Sequence, residues 1–326
     1  MKTEGIWVVK PNEIEVRELE VRDEPRADEV QIDVKACGVC AWDSYLFQGV
    51  SGPGDPPYPM GHEAAGIVTK VGELVRGFKP GDKVAVCSST DSQQMANVVN
   101  NKAAGICRLP DSLMNWADTI YEPTTCVVNL LHKSEIQPGD SVVLVGAGYM
   151  GSLTLMGLVN NSCAGYVTVF EKRPERRERA RQLGADFVYD PDSDEGRAAC
   201  ETIRAQGGAD VVIDFAASVS GYELACSLVK KQPGKLILGS WHRHEMTFDG
   251  TRWHLGGVTI YNLSPMSNRH YFDMSARTGV LIEKGAYRPG SLVSHVVHYK
   301  DPALKALFEK SITKEDGYLK GVILFD

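Results

Sequence analysis

Over the first 120 or so residues, apolar side chains come in short alternating or β-branched runs, at 14–21, 29–36, 63–71 and 83–86, each bounded by Pro, Gly or Asp. A period of two predicts strands with one buried face, and their close spacing predicts a barrel-like β domain. Phe78-Lys79-Pro80-Gly81-Asp82-Lys83-Val84 reads as a turn feeding a strand. Residues 49–59 hold four prolines and three glycines and read as a loop placed just before His62. From about residue 138 the pattern changes to continuous apolar strands (141–145, 166–170, 187–189, 211–215, 235–239 and 258–261) alternating with helical stretches such as 148–159 and 174–183. That alternation predicts an α/β unit, a parallel sheet covered on both faces. Beyond residue 263 it fades into one helix over 273–284 and a terminal strand over 321–325.

Composition narrows the function. The 326 residues are 43% hydrophobic and 24% charged, as in an ordinary globular protein, and are enough for two domains. A net charge of -7 gives no basis for binding nucleic acid or anionic membranes. The basic stretch 172–181 alternates with Glu171, Glu175 and Glu178 at helical spacing, which reads as a solvated helix face. No apolar run reaches the roughly 20 residues of a membrane span, and Met1-Lys2-Thr3-Glu4 does not open a signal peptide. Eight scattered cysteines do not resemble a secreted disulfide framework, so a reducing cytoplasm is expected.

Two constellations carry chemistry. Gly146-Ala147-Gly148-Tyr149-Met150-Gly151 is a G-x-G-x-x-G between a strand and a helix. Its glycines permit a tight turn, close backbone approach to a pyrophosphate, and close helix–strand packing. Glu171, twenty residues past Gly151, ends the next strand. A carboxylate there can accept from both ribose hydroxyls and would repel a 2′-phosphate, which favours NAD over NADP. Lys172 and Arg173 beside it keep NADP open. The second constellation is Cys40 in Gly38-Val39-Cys40-Ala41-Trp42-Asp43 with His62 and Glu63 in Gly61-His62-Glu63. Glu122, acidic within an otherwise apolar and small-residue segment, needs a cationic partner, either a metal or an arginine. Thiolate, imidazole and carboxylate are ligands a catalytic Zn²⁺ accepts. A buried structural thiol at Cys40 is the alternative.

Taken in order, these motifs resemble the medium-chain, zinc-dependent alcohol and polyol dehydrogenase family over nearly the whole chain. The resemblance rests on GVCxxD at 38–43, GHExxGxVxxVG at 61–72, FxxGDxV at 78–84, EP at Glu122-Pro123, GAGxMG at 146–151 and LGAD at 183–186. It implies a GroES-like β-rich catalytic domain (1–122 and 264–326) and a Rossmann NAD-binding domain with a doubly wound parallel sheet (123–263), with the active site in the cleft between them. It also implies Cys40 and His62 as zinc ligands, Glu63 as an alternating or water-linked ligand, and Glu122 as the ligand found in polyol members. Gly146, Gly148, Tyr149 and Met150 would lie under the pyrophosphate, with Glu171 and Lys172 at the ribose and Arg176 near the adenine. The implied reaction is hydride transfer between NAD and a secondary alcohol or ketone of a polyol, cyclitol or sugar derivative, by a homo-oligomer.

Two departures stand out. The four-cysteine lobe that holds a structural zinc in many members is missing, since only Cys87 stands in 86–93, so one catalytic zinc and no structural zinc are expected. Trp42 and Tyr45 replace the usual proton-relay hydroxyl and histidine, leaving Tyr45, Ser44 or a water linked to Glu63 to move the proton. The stretch Ser240-Trp241-His242-Arg243-His244-Glu245 follows a predicted Rossmann strand and either faces the coenzyme or forms a solvent loop. Two alternatives compete: a zinc-free NADPH-dependent quinone or enone reductase of the same fold, and a non-catalytic NAD-binding protein.

Overall fold

The structure is a computed structural model that describes residues 1–88, 93–243, 245–264 and 271–325, the side chain of Arg252 apart. The chain divides into two units, Met1–Thr125 with His270–Asp326, and Cys126–Arg269. In the first, β1 (Lys2–Lys10), β2 (Glu13–Glu20) and β3 (Glu29–Val39) lead into a short helix α1 (Ala41–Phe47). Then come β4 (Tyr58–Pro59), β5 (Ala64–Val71), β6 (Lys83–Val86), β7 (Val98–Lys102) and β8 (Ile106–Arg108). Helix α2 (Glu122–Ser134) crosses the boundary; its first turn holds Glu122 and Pro123, an acid and a proline where free N–H groups favour both.

The second unit alternates β9 (Ser141–Val145), α3 (Tyr149–Asn161), β10 (Tyr166–Phe170), α4 (Pro174–Gln182), β11 (Phe187–Tyr189), α5 (Asp194–Ala205), β12 (Val211–Asp214), α6 (Val219–Leu228), β13 (Lys235–Leu238), α7 (Gly250–Gly256) and β14 (Thr259–Asn262). The chain then returns to the first unit through α8 (Asp273–Glu283), β15 (His295–His298), α9 (Leu304–Thr313) and β16 (Gly321–Leu324).

The first unit holds a three-stranded sheet, β2-β1-β4, and a seven-stranded sheet, β15-β16-β3-β5-β6-β8, with β7 also on β3. The terminal strand β16 is antiparallel to β3, so the last residues of the chain lie beside Cys37 and Gly38. Val8, Ile32, Val34, Phe47, Met60, Val84 and Phe308 share its core.

In the second unit the order is β11-β10-β9-β12-β13-β14, all parallel. Along β9, Val142 and Leu144 enter one core and Val143 and Val145 another. Both faces are therefore covered, which is why the strand reads as an unbroken apolar run. The expected strands and helices stand within about three residues of their predicted bounds, whereas β1, α1, β4, β7, β8, α2, α5, α6, α7, β15 and α9 are additions to the bounds read from sequence.

Candidate active site

β3 delivers the chain to Cys40, the N-cap of α1. The Cys40 N–H donates to Asp43 Oδ2 at 2.8 Å, and the Gly61 N–H donates to Asp43 Oδ1 at 3.3 Å. One buried carboxylate therefore ties the 38–43 turn to the 61–63 turn and sits 3.7 Å from His62 Nδ1. Gly61 has φ 96°, and a Cβ there would lie 2.4 Å from the backbone N of Met95, so conformation and space both require glycine. A Cβ on Gly38 would lie 1.9 Å from Glu63 Oε2.

These constraints place one ligand atom each from Cys40, His62 and Glu63 within 4.8 Å of one another, the one such group among the described residues. Burial pushes the His62 imidazole down, but Asp43, the Cys40 thiol and Glu122 outweigh it and hold it well above the ordinary histidine range. Burial pushes the Asp43 carboxyl up, against the opposing pull of His62 and the Cys40 N–H. A pocket this rich in acid favours a cation. Asp43 lies on the Nδ1 side of the ring at 3.7 Å and acts on it electrostatically, leaving the other nitrogen to a metal. With a soft thiolate and a hard carboxylate alongside, the donor set fits Zn²⁺.

Glu63 is fully buried and its Oε2 lies 2.5 Å from Lys320 Nζ, itself almost fully buried just before β16. Glu122, also buried, accepts from the Tyr271 hydroxyl at 3.3 Å and bears on His62 electrostatically, but it is not a member of the 4.8 Å group. In α1, Trp42 packs against the core of the unit and Tyr45 is half-buried. The Ser44 hydroxyl is engaged 2.6 Å from Ser311 Oγ and 3.2 Å from the Cys40 carbonyl. Asp43 and Lys320 were not singled out from sequence. Asp43 was open to recognition three residues after Cys40, whereas nothing near Lys320 marks its partner at the other end of the chain.

The nucleotide turn lies in the second unit. Gly146 has φ 92°, and a Cβ would meet the Ala216 N at 2.8 Å; one on Gly151 would meet the Gly146 carbonyl at 2.1 Å. Gly148, the N-cap of α3, is different: a Cβ there would meet nothing nearer than Arg176 Nη1 at 3.5 Å. The open space at a helix N-terminus fits a pyrophosphate. Tyr149 is buried and Met150 half-buried behind it. Glu171 follows β10 and accepts from the Ala147 N–H at 2.7 Å and the Arg173 N–H at 2.9 Å, with Arg176 Nη1 4.0 Å away. Lys172 Nζ pairs with Asp192 at 3.0 Å. Of the 240–245 stretch, Trp241 is half exposed, His242 is turned inward, and His244 lies outside the described residues.

Residues 26–171 match the family described as alcohol dehydrogenase GroES-like domain, and residues 149–277 the family described as zinc-binding dehydrogenase. (R,R)-butanediol dehydrogenase of Bacillus subtilis is 29% identical over 89% of this chain and 91% of its own. A sorbitol dehydrogenase of Halalkalibacterium halodurans is 25% identical over 69% of this chain and 73% of its own. Among solved structures, an Escherichia coli oxidoreductase/dehydrogenase of unknown specificity involved in membrane biogenesis matches with a TM-score of 0.88, at 25% identity and full coverage of both chains.

Proposed function

The chain belongs to the medium-chain zinc-dependent alcohol and polyol dehydrogenase family, with its GroES-like and Rossmann units, and from that premise we propose that it moves a hydride between NAD and a secondary hydroxyl of a polyol, cyclitol or sugar derivative. The observation that carries this reading is the group of Cys40, His62 and Glu63 within 4.8 Å, in a chain that also carries the Gly146–Gly151 turn. The polyol preference is supported by Glu122, a carboxylate beside the imidazole, and by relatives named for butanediol and sorbitol.

Cys40 and His62 would hold one zinc, with Glu63 or Glu122 as the carboxylate ligand. When bound, the metal supplies Lewis acidity that eases loss of a hydroxyl proton. Asp43 faces Nδ1 of His62 at 3.7 Å and would favour an imidazole with a proton on that side. Lys320 holds Glu63 in place at 2.5 Å. The substrate proton would pass to Tyr45 or to a water linked to Glu63, because the Ser44 hydroxyl is already shared with Ser311 and Cys40. NAD in preference to NADP is supported by Glu171, held as an acceptor at the ribose position, and by Lys172, drawn to Asp192.

The exposed edge strand β14, with Thr259, Ile260 and Asn262 open to solvent, supports assembly into a homo-oligomer, which sedimentation tests. Eight free cysteines support a reducing cytoplasm, and no described helix is long and apolar enough to cross a membrane. The deciding experiment is metal content on protein purified without chelators, followed by NADH appearance over a panel of polyols, inositols and sugar derivatives. One zinc per chain and turnover with a member of the panel are expected. Active protein without zinc would overturn the Lewis-acid reading.

A further inference from the structure

The carboxyl ends of β12 and β13 carry a buried acid–imidazole pair that the reading above does not use. His242 Nε2 lies 2.8 Å from Asp214 Oδ2; the Asp214 side chain is fully buried and that of His242 is 10% exposed. Asp214 also gathers the backbone around it. Its Oδ1 accepts from the Ala216 N–H at 2.8 Å, and its carbonyl accepts from the N–H groups of Gly239 at 3.1 Å and Ser240 at 3.2 Å. The Tyr222 ring, from α6, meets the imidazole edge-on at 5.7 Å. Apart from the 2.8 Å contact with each other, both ring nitrogens of His242 and Asp214 Oδ2 are buried without a hydrogen-bond partner among the described residues. Burial pushes the Asp214 carboxyl up, against the Ala216 N–H and His242. Desolvating an acid and a base together is costly, so packing alone would be served as well by an apolar pair.

Position supplies the argument for a role. In the order β11-β10-β9-β12-β13-β14 the chain reverses direction across the sheet between β9 and β12. Each half of such a sheet holds one mononucleotide outside the carboxyl ends of its strands. Glu171, after β10, marks the adenosine half, which leaves the ends of β12 and β13 to the nicotinamide half. Ala216, whose N–H Asp214 holds, is also the residue that a Cβ on Gly146 would strike, so this segment abuts the phosphate turn.

We propose that Asp214 and His242 are a positioning pair for the nicotinamide half of the coenzyme, fixing the 214–216 and 239–242 segments that form its side of the crevice. The proposal rests on the coenzyme reading above. Binding of NADH and of ADP-ribose, which lacks the nicotinamide, to the full-length protein tests it by titration without any turnover. His242→Ala raises the Kd for NADH about tenfold, the effect of losing one close contact to a buried charged group, and leaves that for ADP-ribose within about twofold. His242→Gln, which restores a donor to Asp214, recovers most of the loss. Where the alanine variant loses its far-UV circular dichroism, Asp214→Asn gives the same reading with the shape preserved. Equal weakening of both ligands, or of neither, overturns the positioning role and leaves a structural clasp. Failure of the unmodified protein to bind either ligand would instead overturn the coenzyme reading.

Discussion

At Gly38 the smallest side chain is set by a larger one, since a Cβ there would lie 1.9 Å from Glu63 Oε2. The carboxylate cannot retreat, because it is fully buried and held against Lys320. Gly38→Ala therefore has to displace a ligand of the candidate metal centre, and a loss of about 10–100-fold in zinc affinity and in kcat/KM is expected, read by metal analysis after dialysis and by steady-state rates. Unchanged zinc content would mean that Glu63 is not needed there. Lys320 tests the other side of the pair. Lys320→Met leaves a buried carboxylate without its cation and is expected to cost about 3 kcal/mol in urea unfolding, with Lys320→Arg retaining most of it. A loss under about 0.5 kcal/mol would show that the pair behaves like an exposed one. The residue scale is also where the sequence was least complete. Cys40, His62 and Glu63 carry their own signal in residue type and spacing. Asp43 and Lys320 act through distance and burial, which only the folded chain supplies.

At the scale of elements, one carboxylate reinforces the start of the parallel ladder between β9 and β12. Asp210, one residue before β12, accepts from the Ser141 N–H at 3.0 Å, the Ser141 hydroxyl at 2.8 Å and Lys230 Nζ at 2.6 Å. Burial pushes this carboxyl up, but Lys230 and Ser141 prevail and hold it below the usual aspartate range. Its folded pKa is thus depressed, so the stabilisation is complete above the unfolded value of about 3.9 and is lost as pH falls through the folded pKa. Asp210→Asn is expected to be about 1–2 kcal/mol less stable than the native chain at pH 7. The gap should close as pH falls below about 4, and thermal unfolding through that range checks it. A gap that stayed constant would point to shape rather than charge. Elements themselves were legible wherever a period met clear punctuation, as for β9, β10 and β11. Helix α9 was not read, although buried Leu304, Leu307 and Phe308 stand at i, i+3 and i+4, because the wet residues between them and the lack of an N-cap side chain hid its start. Helix α2 was hidden by Thr124, Thr125 and Asn129, polar residues that are buried and break the amphipathic contrast.

For the whole molecule, the change from period-two runs to alternating strands and helices announces two bodies, and the motifs divide between them. What the sequence pattern could not announce is that the last strand lies beside β3, next to the candidate metal-site turn, because strand pairing across most of the chain leaves no local trace. Each unit has its own core, one around Val8, Ile32 and Phe308 and the other around Leu144, Val143 and Ile237. Lesions in one should therefore spare binding in the other. Removing zinc with a chelator is expected to abolish turnover while leaving the Kd for NADH within about twofold, since no nucleotide-turn residue belongs to the group of Cys40, His62 and Glu63. Gly146→Ala should do the reverse. Its Cβ would stand 2.8 Å from the Ala216 N at a φ of 92°, so the turn must shift and NADH binding fall, while zinc stays bound to Cys40 and His62. Metal analysis and NADH fluorescence on the same two preparations separate the cases. Loss of zinc from the Gly146 variant, or of NADH binding from the chelated protein, would show that the two sites are energetically coupled, and turnover would then have to be explained by that coupling rather than by two independently built halves.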